Sequence, residues 1–137
     1  MPFIQNVSLD NIVKGFHKDP GSNSVLIQIL DPAFRGIYEP FHDFKEIYEF
    51  NFYDSENEFD EGAITHLDAK LIANILVYAF DNDMNVIVHC HAGKCRSGAV
   101  CDAGVAFGFE DTGSHRTPNL LVKYKVLEAL GLSLYNK

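Results

Sequence analysis

Residues 85–108 read NVIVHCHAGKCRSGAVCDAGVAFG, and their order constrains the fold more than any other part of the chain. NVIVH is a short run of branched apolar residues, the pattern of a strand buried on both faces. SGAVCDAGVAFG (97–108) carries one charge, Asp102, among many small residues. A helix of that composition is buried, and its glycines and alanines let it lie close to a sheet. A central strand feeding a buried helix through a glycine-containing loop is half of a parallel α/β unit.

The rest of the chain supplies matching elements. SVLIQIL (24–30), closed by Asp31-Pro32, predicts another buried strand. EIYEFNF (46–52) alternates, with Tyr48, Phe50 and Phe52 on one face, and predicts a third, with Asp54 just beyond. From Thr65 the period becomes helical. Leu67, Leu71, Ile75 and Tyr78 are the expected inner face, Thr65 and Asp68 resemble a capping box, and Asp81-Asn82-Asp83 is the turn that stops the helix. DTGSHR (111–116) reads as loop. Thr117 is the expected cap of a last helix with Pro118 at its first position; Leu120, Tyr124, Leu127 and Leu130 would face inward, and Gly131 would end it. Residues 1–20 add little. The sum is an α/β single domain over 1–137. Its largely parallel central sheet is flanked by helices, with a phosphate-binding loop between the central strand and the buried helix.

Composition excludes some partners. The 137 residues are 47% hydrophobic and 22% charged, as in soluble globular proteins, and the net charge is −8. That balance argues against nucleic acid or an anionic membrane as the main partner, since both want basic patches. A local positive site for a small phosphorylated substrate remains compatible with it. MPFIQNVSLD lacks the marks of a signal peptide, and LIANILVYAF (71–80) is too short to span a bilayer, so a cytoplasmic protein without membrane insertion is expected. Three cysteines fit reduced thiols better than a disulfide framework.

HCHAGKCRSG (89–98) lies where a strand ends and a helix begins. Helix N-termini offer unpaired N–H groups and a positive dipole end, a natural anion site. Cys90, ringed by such groups and an arginine, is favoured as a nucleophilic thiolate. Arg96, six positions on with five residues between, can bring a planar fork back toward the sulfur. Gly93 lets the loop turn, and Ser97 can set a hydroxyl near the sulfur. Other readings exist. Cys90 as a plain buried thiol leaves Arg96 and the glycine without a purpose. Zinc held by His89, Cys90, His91 and Cys95 departs from usual ligand spacings, and neighbouring strand residues point to opposite faces. Cys95 is filling, or a partner that protects Cys90 as a disulfide. Cys101 belongs to the core. His115 and Arg116 either reach the pocket rim or lie on the surface.

His89-Cys90-x5-Arg96-Ser97, with Ala92-Gly93 and Ser97-Gly98, resembles the signature of the cysteine-dependent protein tyrosine and dual-specificity phosphatases. VLIQILDP (25–32), FNFYD (50–54), the capped helix from Thr65 and Pro118-Asn119 extend the resemblance over most of residues 25–130, toward small dual-specificity-phosphatase-like proteins of bacteria and their viruses. The resemblance implies hydrolysis of phosphotyrosine, and of phosphoserine or phosphothreonine, through a phosphocysteine on Cys90. Arg96 would hold the phosphoryl group, Ser97 would stabilise the departing thiolate, and His89 would shape the loop. His91, Ala92, Gly93, Lys94 and Cys95 would line the phosphate. Asp54, 36 residues before Cys90, would be the general acid, with Asp60, Glu58 and Asp43 as runners-up. No metal or cofactor is implied, and a monomer acting on a phosphorylated protein or small phosphorylated substrate is expected. The acidic run DSENEFDE (54–61) is unexplained in an anion-binding protein. Basic His91 and Lys94 leave open a phosphoinositide or inositol-polyphosphate substrate. A catalytically inactive phospho-binding protein and rhodanese-type sulfur transfer are the remaining alternatives.

Overall fold

Side chains along the buried strands alternate between two helical layers, and that alternation organises the molecule. The computed structural model describes residues 1–132, so residues 133–137 of the expected domain lie outside it. Five strands are assigned: β1 (Phe3–Ser8), β2 (Ser24–Leu30), β3 (Glu46–Asn51), β4 (Asn85–Cys90) and β5 (Glu110–Asp111). They form one sheet in the order β3-β2-β4-β1-β5, with every pairing parallel. The helices are α1 (Leu9–Lys14), α2 (His66–Asp81), α3 (Arg96–Phe107) and α4 (Leu120–Ala129). No helix among the described residues is long and apolar enough to cross a membrane.

Ile4, Ile27, Val86, Val88 and Cys90 enter the larger core, against α2, α3 and α4. Phe3, Val7, Leu26 and Ile87 point the other way and pack on Ile12 of α1. All seven residues of β2 are buried, as expected of a strand covered on both faces. β4 lies at the centre, with β2 and β1 on its two sides. Its carboxyl end, Cys90, therefore opens where ligands gather in parallel sheets.

Residues 1–20, which add little to the resemblance, supply β1, paired with β4 along Ile4–Ser8, and α1, which covers one face of the sheet. The largely parallel central sheet expected from the sequence is present, and all of its assigned pairings are parallel. Several sequence expectations need correction. Asp111 belongs to a short strand beside β1, not to a loop. α2 has the expected capping box, with Thr65 Oγ1 accepting from Asp68 N and Asp68 Oδ2 from Thr65 N. Its buried stripe, however, is Ala69, Ile72, Ala73, Ile75, Leu76 and Ala79, while Leu67, Leu71 and Tyr78 are exposed. Asn119, not Thr117, caps α4, Pro118 precedes the helix, and Val122, Val126 and Leu127 face inward while Leu120 and Tyr124 are exposed.

Candidate active site

The segment from His91 to Cys95 leaves β4 and curls beneath the start of α3. Its carbonyls are drawn outward by fixed donors. The oxygens of His91, Lys94 and Cys95 accept from the N–H groups of Leu9 (3.1 Å), Thr117 (3.2 Å) and Asn119 (3.0 Å), and that of Gly93 accepts from Asn6 Nδ2 (2.7 Å). In a trans peptide the next N–H points opposite to the carbonyl. The N–H groups of Ala92, Lys94, Cys95 and Arg96 are thus turned away from these donors and toward the inside of the curl. None has an acceptor among the described residues. Successive inward N–H groups of this kind form an anion-binding nest.

Cys90 Sγ sits in this curl. Gly93 N donates to it at 3.2 Å, and Ser97 Oγ lies 3.2 Å from it. The turn depends on Gly93, whose φ is +75° and whose missing Cβ would fall 2.4 Å from Ser8 N. No side chain fits between the loop and the end of β1.

Arg96 is nearly enclosed, with 6% of its side chain exposed. Its Nη1 donates to Asp31 Oδ1 and to the Phe52 carbonyl, both at 2.7 Å. These bonds fix the plane of the guanidinium. Its Nε is buried without a partner. An unpaired buried donor costs free energy, so this edge of the fork is set to receive an acceptor.

Asp54 follows β3 and is exposed. Asn119 ties it to the loop. The Asn119 backbone N–H holds the Cys95 carbonyl, and its Oδ1 caps α4 by accepting from Val122 N. Its Nδ2 donates to Asp54 Oδ1 (2.7 Å) and to the Ser55 carbonyl (3.1 Å). Three other acidic residues of this stretch are engaged elsewhere. Glu56 accepts from Leu120 N at 2.7 Å, Glu58 pairs with Lys125 at 3.5 Å, and Asp60 accepts from Ser55 Oγ at 2.7 Å. Asp43 lies exposed before β3 and joins no part of the site.

His89 is fully buried and bonds away from the sulfur. Gln28 Nε2 donates to the Gly36 carbonyl, which fixes the amide and turns Gln28 Oε1 toward His89 Nε2 at 3.3 Å. Burial lowers the pKa of His89 to about 4, so the ring is neutral and structural. Since Cys90 faces the larger core and His89 faces Gln28, the two do not converge on one ion. His91 packs edge-on against Phe34, with its Nε2 buried and unpartnered. Ala92 and Lys94 are exposed. Cys95 is a free thiol 3.6 Å from Thr117 Oγ1. Cys101 is core, its thiol pushed up to about 12 by burial. Arg116 is turned to Asp102 and Asp111 and braces α3 rather than the pocket.

Sequence reasoning missed Asp31, Asn119 and Asn6 as parts of the site. The signals were present: an acidic residue at the carboxyl end of a buried strand, and an asparagine in front of a helix. The arrangement joins a buried free thiol, an N–H nest, an anchored guanidinium and a tethered carboxyl group. No family model, curated protein or solved structure matches the chain.

Proposed function

We propose that the chain hydrolyses phosphate monoesters through a phosphocysteine on Cys90. Phosphotyrosine is the favoured ester, with phosphoserine and phosphothreonine as further substrates. The observation that carries this reading is Cys90 Sγ held 3.2 Å from Gly93 N and from Ser97 Oγ, in a loop whose His91, Gly93, Lys94 and Cys95 carbonyls are bonded to other donors and so leave the N–H groups that follow them free of acceptors among the described residues. Such donors stabilise the equatorial oxygens of a phosphoryl group in transfer, and the free edge of Arg96 adds charge to the same task.

In the first step a thiolate lone pair attacks phosphorus. The ester P–O bond breaks, and Asp54 gives its proton to the leaving oxygen. In the second step water attacks phosphorus, Asp54 takes its proton, and the P–S bond breaks. The Ser97 hydroxyl donates to the departing thiolate. The products are the alcohol and inorganic phosphate, and the scheme uses no metal or cofactor. Cys90, Arg96 and Asp54 together argue for turnover rather than binding alone. We read the protein as a cytoplasmic monomer acting on phosphorylated proteins or small phosphorylated molecules. A second reading keeps the chemistry and takes a phosphoinositide or inositol polyphosphate. Lys94 favours it, being exposed on the loop with no ion pair among the described residues.

The test is turnover of p-nitrophenyl phosphate with a chelator present. Wild type should be active and Cys90→Ser dead. Asp54→Asn should lose about 10²–10⁴-fold on an ester with a poor leaving group, and much less on p-nitrophenyl phosphate. Activity that survives Cys90→Ser sinks the proposal. A wild type that binds phosphotyrosine without turnover would put the binding-only reading ahead.

A further inference from the structure

The outer flank of the catalytic loop borders a cavity that this chemistry does not use. Together with β1, the start of α1 and residues 114–115, the loop encloses about 260 Å³. Gly93 lines the cavity, and the N–H of the same residue donates to Cys90 Sγ. The backbone of one residue thus stands between the cavity and the sulfur.

The lining is unusual for this chain. The net charge is −8, yet no carboxylate lines the cavity. Asp10 is paired with Lys14, and Asp19 accepts from Gly21 N. The polar groups of the lining are mainly donors. Gln5 Oε1 accepts from Lys18 N, which leaves Gln5 Nε2 as its free end. Ser8 Oγ accepts from Asn11 N, which leaves the hydroxyl proton to donate. Asn11 Nδ2 and Lys94 Nζ also lack partners among the described residues, and exposed His115 stands at the edge. His17 lines the cavity too, but its Nδ1 faces the Lys18 carbonyl and its Nε2 faces His42, so it offers no donor.

We infer that this cavity is a subsite for a second phosphate group of the substrate, which makes bisphosphorylated molecules the favoured substrate class. The inference rests on the phosphatase reading of the adjacent sulfur. A dianion held here gains charge-assisted hydrogen bonds, and the donors of Gln5 and Ser8, anchored through their oxygens, need little reordering to make them. A carboxylate-free pocket in an acidic protein also spares that dianion the repulsion it meets elsewhere on the surface.

The test is calorimetric binding to Cys90→Ser protein, using two ligand pairs. One pair is inositol monophosphate and inositol bisphosphate; the other is one peptide phosphorylated once and twice. The bisphosphate should bind at least about tenfold tighter in one pair, and that pair identifies the source of the second phosphate. Asn11→Leu and Gln5→Leu should each remove most of the gain. Both should leave monophosphate binding, and p-nitrophenyl phosphate turnover in the Cys90 background, within about twofold. Equal binding within both pairs, or a gain that survives both substitutions, overturns the subsite while p-nitrophenyl phosphate turnover still supports the catalytic reading. Absence of any binding together with absence of turnover overturns both.

Discussion

His89 is the residue whose protonation the fold opposes most clearly. Its ring is buried between β4 and Gln28, and burial lowers its pKa from 6.5 to about 4. The unfolded chain takes up this proton as pH falls through 6.5, while the folded chain refuses it until about 4. Stability is therefore complete above pH 6.5 and falls toward pH 4 by about 1.4 kcal/mol per unit, or about 3 kcal/mol in all. His17, also lowered by burial, adds to the same slope, so the variant must isolate His89. Denaturant unfolding of His89→Gln should show a smaller loss between pH 6.5 and 4 than wild type. An unchanged slope would mean that His89 is charged in the fold. The resemblance put His89 in a supporting role, and the alternation of strand residues put it opposite Cys90. Nothing in the local pattern marked Gln28 as its partner, because that contact crosses from β4 to β2 and depends on strand order. Asp31 was visible as an acidic residue ending a buried strand, but its pairing with Arg96 was not, because it joins residues 65 apart in sequence.

At the scale of elements, the acidic loop after β3 and the start of α4 explain each other. A helix N-terminus favours nearby carboxylates and offers unpaired N–H groups. Glu56 takes the N–H of Leu120, and Asp54 takes the side-chain amide of Asn119. The run that looked unsuited to an anion-binding protein is thus largely bound to α4. Asn119 has two separable duties, capping through Oδ1 and positioning Asp54 through Nδ2. Asn119→Ala should lose both, with a stability cost of about 1 kcal/mol. Asn119→Ser should keep a capping oxygen, hold stability within a few tenths, and still lose the tether. Its kcat should fall in the manner of Asp54→Asn, more steeply for poor leaving groups. A Ser variant with wild-type dependence on leaving group would show that Asp54 is positioned by something else. Helix existence was legible from periodicity, and the α2 cap from Thr65 and Asp68. The buried faces were not, since α2 turns Ala69, Ala73 and Ala79 inward and leaves larger Leu67 and Leu71 at its flank. Helical spacing alone fits two stripes that share Ile75, and the buried one, with Ile72 and Leu76 among the alanines, is not the expected one.

Across the whole molecule, the least legible part is the one that completes the site. Residues 1–20 carry no recognisable motif, yet β1 fills the place between β4 and β5. Its Asn6 holds the Gly93 carbonyl, its Ser8 backs the glycine turn, and Leu9 holds the His91 carbonyl. Parallel strands distant in sequence become neighbours only through topology, which short-range patterns do not encode. If β1 is integral to the core, its central side chain should matter as much as one in β2. Ile4 and Ile27 are both fully buried and belong to the same core. Ile4→Ala and Ile27→Ala should each lower the unfolding free energy by about 2–5 kcal/mol, the range for deleting a buried aliphatic side chain. Domains of ordinary stability have only about 5–15 kcal/mol to lose. Urea unfolding of both variants, followed by far-UV circular dichroism, makes the comparison. A loss below about 1 kcal/mol for Ile4→Ala beside a full loss for Ile27→Ala would show that β1 is an appendage. The outward hold on the loop carbonyls, and with it the N–H nest at Cys90, would then need another origin.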